Sequence, residues 1–200
     1  MVTWKNLKDI SDRKEQHMSL VESVKIPLGT VMPPFSLKDP SGKKFEGESL
    51  YGARGLLIAF TCNHCPYANA VWPRLIRIGQ YALDRGLGVA AVNPNIHPGY
   101  PDDAPPKMIE KIRELKIPFP YLVDETQGVA RAFKAQCTPD IYLFDKDKRL
   151  VYHGRIDDNW KDEAAVTKEE LLGAVKDVIA GKPVGLKQLS SMGCSIKWRE

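Results

Sequence analysis

Two cysteines separated by two residues, Cys62 and Cys65, bracket His64 in the stretch Thr61-Cys62-Asn63-His64-Cys65-Pro66-Tyr67. The thiolate, not the thiol, attacks disulfides and peroxides, and a free cysteine has a pKa of about 8.5. A helix N-terminus lowers that value, because its unpaired N–H groups and its dipole both favour an anion. An apolar run, 56–60, precedes the pair and a helical pattern follows it, so both cysteines fall at a strand-to-helix junction. The expected division of labour places Cys62 on the strand side, exposed, more acidic and attacking. Cys65, inside the first turn, is covered and resolves the mixed disulfide. His64 is placed to offer the thiolate a hydrogen bond or a positive charge, which favours the reduced pair and makes the disulfide a better oxidant.

Half of a zinc site is the competing reading, with Cys62 and Cys65 as ligands. Such a site usually needs a second Cys-x-x-Cys or a His pair at ligand spacing. Cys137, Cys194, His97 and His153 are all isolated along the chain. The junction placement therefore points to redox chemistry, with no metal and no prosthetic group expected.

The elements that must position this pair are those of an ordinary globular domain. The chain has 200 residues, 43% hydrophobic and 27% charged, with a net charge of +4. That length supports one sizeable core plus extensions. Basic residues are scattered, which argues against nucleic acid. No segment approaches the length of a membrane-spanning helix. The first residues lack a signal-peptide apolar core, and four cysteines do not make a secreted disulfide scaffold, so the expected compartment is the cytoplasm.

Along the chain, Trp4, Leu7 and Ile10 are spaced for a short amphipathic helix. Residues 39–42 read as a turn between two short strands. Residues 56–60 and 88–92 read as buried strands. Between them Ala68, Val71, Trp72, Leu75, Ile76, Gly79, Ala82 and Leu83 form one helical stripe, with Arg74, Arg77, Gln80 and Asp84 on the other face. Pro66 suits the first turn, and Pro73 should kink the helix. Residues 93–106 form a proline-rich loop, from which Asp102 or Asp103 caps a helix to about Lys116. Residues 121–123 form a short strand. Asp124 with Gln127, and Thr167 with Glu170, read as capping boxes of two further helices. Pro139 belongs at the start of a strand over 141–144, which forms a hairpin with 150–152. Alternating elements followed by a hairpin imply an α/β fold, a mixed central sheet with helices on both faces.

The chain resembles the thioredoxin-like superfamily, and within it the redoxin branch (alkyl hydroperoxide reductase/thiol-specific antioxidant) with a Cys-Asn-His-Cys-Pro-Tyr motif. The landmarks span 28–198: Leu28-Gly29-Thr30, Pro34-x-Phe-x-Leu, Cys62 to Tyr67, Cys137-Thr138-Pro139-Asp140, Gly154 to Asp158, and Gly193-Cys194-Ser195-Ile196-Lys197-Trp198. The resemblance implies a thioredoxin-like fold, with Cys62 as nucleophile, Cys65 as resolving thiol, and Pro139 as a cis-proline beside them, preceded by Thr138. It divides the chain into an N-terminal extension (1–22), a redoxin domain (23–182) and a C-terminal tail packed on it (183–200). Residues 56–60 hold no acid where thioredoxin has a buried one, and Ala59 stands where peroxiredoxins have a threonine.

The expected function is that of a thiol-disulfide oxidoreductase. A thiol peroxidase with antioxidant activity is the first alternative, and a non-enzymatic metal-binding or interaction module the second. The expected partners are protein or small-molecule thiols and disulfides, with a thiol reductase system as a candidate for regeneration, and no membrane. Cys137 and Cys194 are candidate additional redox thiols: Cys137 through its nearness to Pro139, and Cys194 if the tail folds back.

Overall fold

The computed structural model describes residues 20–199. The helix expected from the spacing of Trp4, Leu7 and Ile10 lies outside the described residues. The chain begins with β1 (Leu20–Glu22), β2 (Ser36–Lys38), β3 (Lys44–Glu46) and β4 (Gly55–Phe60), followed by α1 (Pro66–Leu83) and β5 (Gly88–Asn93). Next come α2 (Pro105–Leu115), β6 (Tyr121–Val123), α3 (Gly128–Phe133), β7 (Cys137–Thr138), β8 (Asp140–Asp145) and β9 (Leu150–Gly154). The last elements are α4 (Glu170–Ile179) and β10 (Met192–Ser195).

Seven strands form one mixed sheet in the order β3-β2-β6-β5-β4-β8-β9. β4 runs parallel to β5, β5 parallel to β6, and β8 antiparallel to both β4 and β9. Every residue of β4 and β5 is buried. The side chains of β4 alternate between two cores. Leu57 and Ala59 pack with Val71, Trp72 and Leu75 of α1 and Leu171 and Val175 of α4. Leu56, Ile58 and Phe60 pack on the opposite face with Val129, Ala130 and Phe133 of α3. Full burial of a large apolar side chain is worth about 1.5–3 kcal/mol. With four of them, Leu56, Leu57, Ile58 and Phe60, β4 anchors the sheet far more strongly than the half-exposed hairpin β2–β3.

A second, three-stranded sheet, β1-β10-β7, is wholly antiparallel and brings the two ends of the described chain together. Beyond β10, Ile196 is buried in the α3-side core, and Trp198 lies under the Arg131 guanidinium, 4.5 Å from the ring centre.

Several local expectations are corrected. Arg74 does not face solvent: it is 2% exposed, pairs with Asp157 at 2.8 Å, and donates to the carbonyls of Asn159 and Trp160. The helical stripe is thus wider than its apolar residues, because the loop after β9 closes over α1. Neither Asp102 nor Asp103 caps α2, whose N-cap is Ala104. Thr167 does not box α4; it bonds Asp158, while Glu170 pairs with Arg155. Asp124 does receive N–H donors from the start of α3, those of Val129 and Ala130, but Gln127 turns left-handed (φ 60°) and sends its amide to the carbonyls of Pro94 and Lys197.

Candidate active site

β4 ends at Phe60 and α1 starts at Pro66, so the five residues between them form the tightest part of the site. Cys65 is the N-cap of α1, with Pro66 in the first turn, where its missing N–H costs nothing. β7 reaches the same place from the far side of the sequence. The Thr138–Pro139 peptide bond is cis, as the resemblance implied. Thr138 touches both sulfurs: its hydroxyl lies 3.2 Å from Cys62 Sγ, and its carbonyl accepts from the Cys65 thiol at 3.3 Å. Trp72 Nε1 donates to the Cys62 carbonyl at 3.4 Å.

Cys62, Cys65 and Cys194 of β10 are packed into one buried cluster, close enough for their thiols to perturb one another's ionisation. With Ala68 and Tyr67 they form a small core of their own. Cys194 therefore joins the pair. Cys137 does not: buried on β7, it turns its sulfur to the Pro139 carbonyl at 3.6 Å.

The expected asymmetry of exposure and acidity is not what the structure holds. Cys62 and Cys65 are both fully buried. Burial pushes the Cys62 thiol well up, helped by the neighbouring Cys65 and the negative Asp103. The thiols of Cys194 and Cys62, both donating to it, hold Cys65 well below the usual thiol range. Cys65 is thus the easier thiol to ionise and Cys62 the harder. The order of acidity is the reverse of the one the spacing suggests: Cys65 sits at the N-cap, and Cys62 lies three residues further from the helix, beside a carboxylate.

That carboxylate is the main residue of the site that the sequence does not reveal. Asp103, fully buried in the 3-10 turn Pro101–Asp103, accepts from the Asn63 N–H at 2.6 Å and from Asn93 Nδ2 at 3.0 Å, and holds His64 Nδ1. So a buried acid stands beside the pair after all, delivered by a loop and not by β4. His64 bonds Asp103 and neither sulfur; its ring packs on Tyr100, and its Nε2 is buried without a partner among the described residues. Asn63 is held further by Tyr121 and Asn69. In sequence, Asp103 is an acid in a proline-rich loop before a helix, which is the signature of a cap. No local signal separates the two roles.

The Cys62 sulfur, a His64 ring nitrogen and an Asp103 oxygen all lie within 4.8 Å of one another, so these three could converge on a cation. Two of them already satisfy each other, and the third is the thiol whose ionisation burial opposes.

The AhpC/TSA family profile matches residues 28–153. No curated protein matches the chain. An uncharacterized conserved protein from Geobacillus kaustophilus is similar over 92% of this chain and 98% of its own, with 41% identity and a TM-score of 0.87. A hypothetical protein from Sinorhizobium meliloti 1021 is 37% identical over 89% of this chain and 98% of its own, with a TM-score of 0.84. The thioredoxin domain of a thiol-disulfide oxidoreductase from Bacteroides vulgatus shares the fold at 18% identity and a TM-score of 0.54, over 64% of this chain and 89% of its own. On a thioredoxin-like fold, with its cysteine pair where β4 meets α1, this chain belongs to the AhpC/TSA family.

Proposed function

We propose that the protein is a thiol-disulfide oxidoreductase whose exchanging pair is Cys62 and Cys65, acting on protein or small-molecule disulfides. The observation that carries this reading is the packing of the two thiols in one buried cluster at the N-terminus of α1, with Thr138 against both. Cys62 attacks the incoming disulfide. As it does so it gives up its proton to solvent, and one substrate sulfur leaves with its electron pair. The leaving thiolate takes its proton from solvent or from a His64 ring nitrogen, which lies within 4.8 Å of Cys62 Sγ. Cys65 then attacks Cys62, the mixed disulfide breaks, and the second substrate thiol departs, leaving Cys62–Cys65 oxidised.

A peroxidase reading is less favoured. Ala59 stands three residues before Cys62, where peroxiredoxins carry a threonine. The experiment is a mixed-disulfide trap. Cys65→Ser should accumulate a covalent adduct with a peptide disulfide at Cys62, and Cys62→Ser should lose exchange. Adduct forming at Cys65 in Cys62→Ser, with none in Cys65→Ser, would reverse the two roles. Full exchange in both variants would end the proposal.

A further inference from the structure

A buried cysteine commonly serves as no more than a small apolar residue. Cys194 has surroundings that such a role does not require. Its strand, β10, lies antiparallel on β7, with Cys194 opposite Thr138, the residue that touches both sulfurs of the exchanging pair. The two backbones are pressed together at Gly193, where an added Cβ would lie 2.1 Å from the Thr138 carbonyl oxygen. On its other edge, β10 is held by β1, with Leu20 opposite Cys194. Cys194 is thereby fixed from both sides in the buried cluster that holds Cys62 and Cys65. Cys62, Cys65 and Cys194 share one buried cluster, and the Cys65 thiol is perturbed by both of the others.

We propose that Cys194 is a third exchange thiol and the internal partner of Cys65, so that the oxidised protein distributes one disulfide between Cys62–Cys65 and Cys65–Cys194. This rests on the reading that Cys62 and Cys65 form an exchanging pair. The step is an isomerisation and needs no outside oxidant. The Cys194 thiolate attacks Cys65 Sγ of the Cys62–Cys65 disulfide, the Cys65–Cys194 bond forms, and the Cys62–Cys65 bond breaks. Cys62 leaves with the electron pair and takes up a proton equivalent to the one Cys194 released. The chain keeps the same oxidation state throughout. The result is that the oxidising equivalent moves beneath β10, and Cys62 returns as a free thiol able to attack again.

The test uses the full chain and oxidised glutathione, with acid quenching, alkylation and peptide mapping under non-reducing conditions. Cys62→Ser should form an intramolecular Cys65–Cys194 disulfide, and Cys62→Ser/Cys194→Ala should instead hold glutathione on Cys65. In the wild-type chain, rapid quenching should recover a Cys65–Cys194 fraction beside Cys62–Cys65, and Cys194→Ala should lose that fraction while keeping the Cys62–Cys65 bond. If the wild-type chain forms Cys62–Cys65 but neither it nor Cys62→Ser ever links Cys65 to Cys194, the third-thiol proposal falls and the exchange reading stands. If the wild-type chain forms no Cys62–Cys65 disulfide at all, both fall together.

Discussion

Replacing Asp103 by Asn removes a buried negative charge and changes little else. The side chain keeps its shape, and its remaining carbonyl oxygen can still accept from the Asn63 N–H, 2.6 Å away in the parent. What changes is the potential at Cys62, whose sulfur lies within 4.8 Å of an Asp103 oxygen. At an effective dielectric constant of about 20, unit charges at that distance interact by ~3.5 kcal/mol, or ~2.5 pKa units. The Asn63 and Asn93 donors bonded to Asp103 offset part of this field, which leaves about 1–2 units. The sign is fixed by the charge: a vanished anion makes the Cys62 thiolate easier to form. In a Cys65→Ser background, the pH profile of iodoacetamide labelling at Cys62 should move down by that amount, which is a tenfold or greater rise in thiolate below the parent pKa. Asp102→Asn, whose side chain is exposed next door, should leave the profile where it was. A Cys62 profile that stays put or rises in Asp103→Asn would refute the assignment of Asp103 as the charge that opposes Cys62 ionisation.

Gly193→Ala should lift β10 from the Thr138 carbonyl, at a cost of about 1–3 kcal/mol for the overpacked contact, and should speed alkylation of Cys65 and Cys194; unchanged protection of both thiols would contradict the packing described. Arg74→Met strands the Asp157 carboxylate and should cost about 3–5 kcal/mol in urea unfolding, and adding Asp157→Leu should recover part of that loss; a cost near zero would mean the buried pair contributes nothing. Burial raises the phenols of Tyr51, Tyr121, Tyr142 and Tyr152 above their ordinary value of 10.0, so the folded chain keeps protons that the unfolded chain releases. Stability should therefore be intact below pH ~10 and fall above it, by about 1.4 kcal/mol per pH unit for each phenol. Thermal unfolding between pH 8 and 12 would show it, and a flat midpoint across that window would overturn the burial of these groups.

Much of this protein is determined locally and is legible in the amino-acid sequence alone. An apolar run too short for a helix, a Cys-x-x-Cys directly after it, and a stripe at helical spacing place the pair at the end of β4 and the start of α1, because each signal depends only on near neighbours. The hairpin β8–β9 and the proline ahead of β8 follow from the same kind of reading. The site's chemistry is decided elsewhere. Asp103 meets the Asn63 N–H across 40 residues of chain, and Cys194 reaches Cys65 only because β10 pairs in one register with β7. Capping preferences at Asp103 and Thr167 are overridden for the same reason: a tertiary partner offers the side chain a better bond than its own helix does. How readily each sulfur ionises depends on burial, on a carboxylate and on neighbouring thiols that converge from three separate segments. None of these distances is encoded by spacing along the chain. They exist only once the sheet has set the register and the cores on its two faces have closed the loops over it.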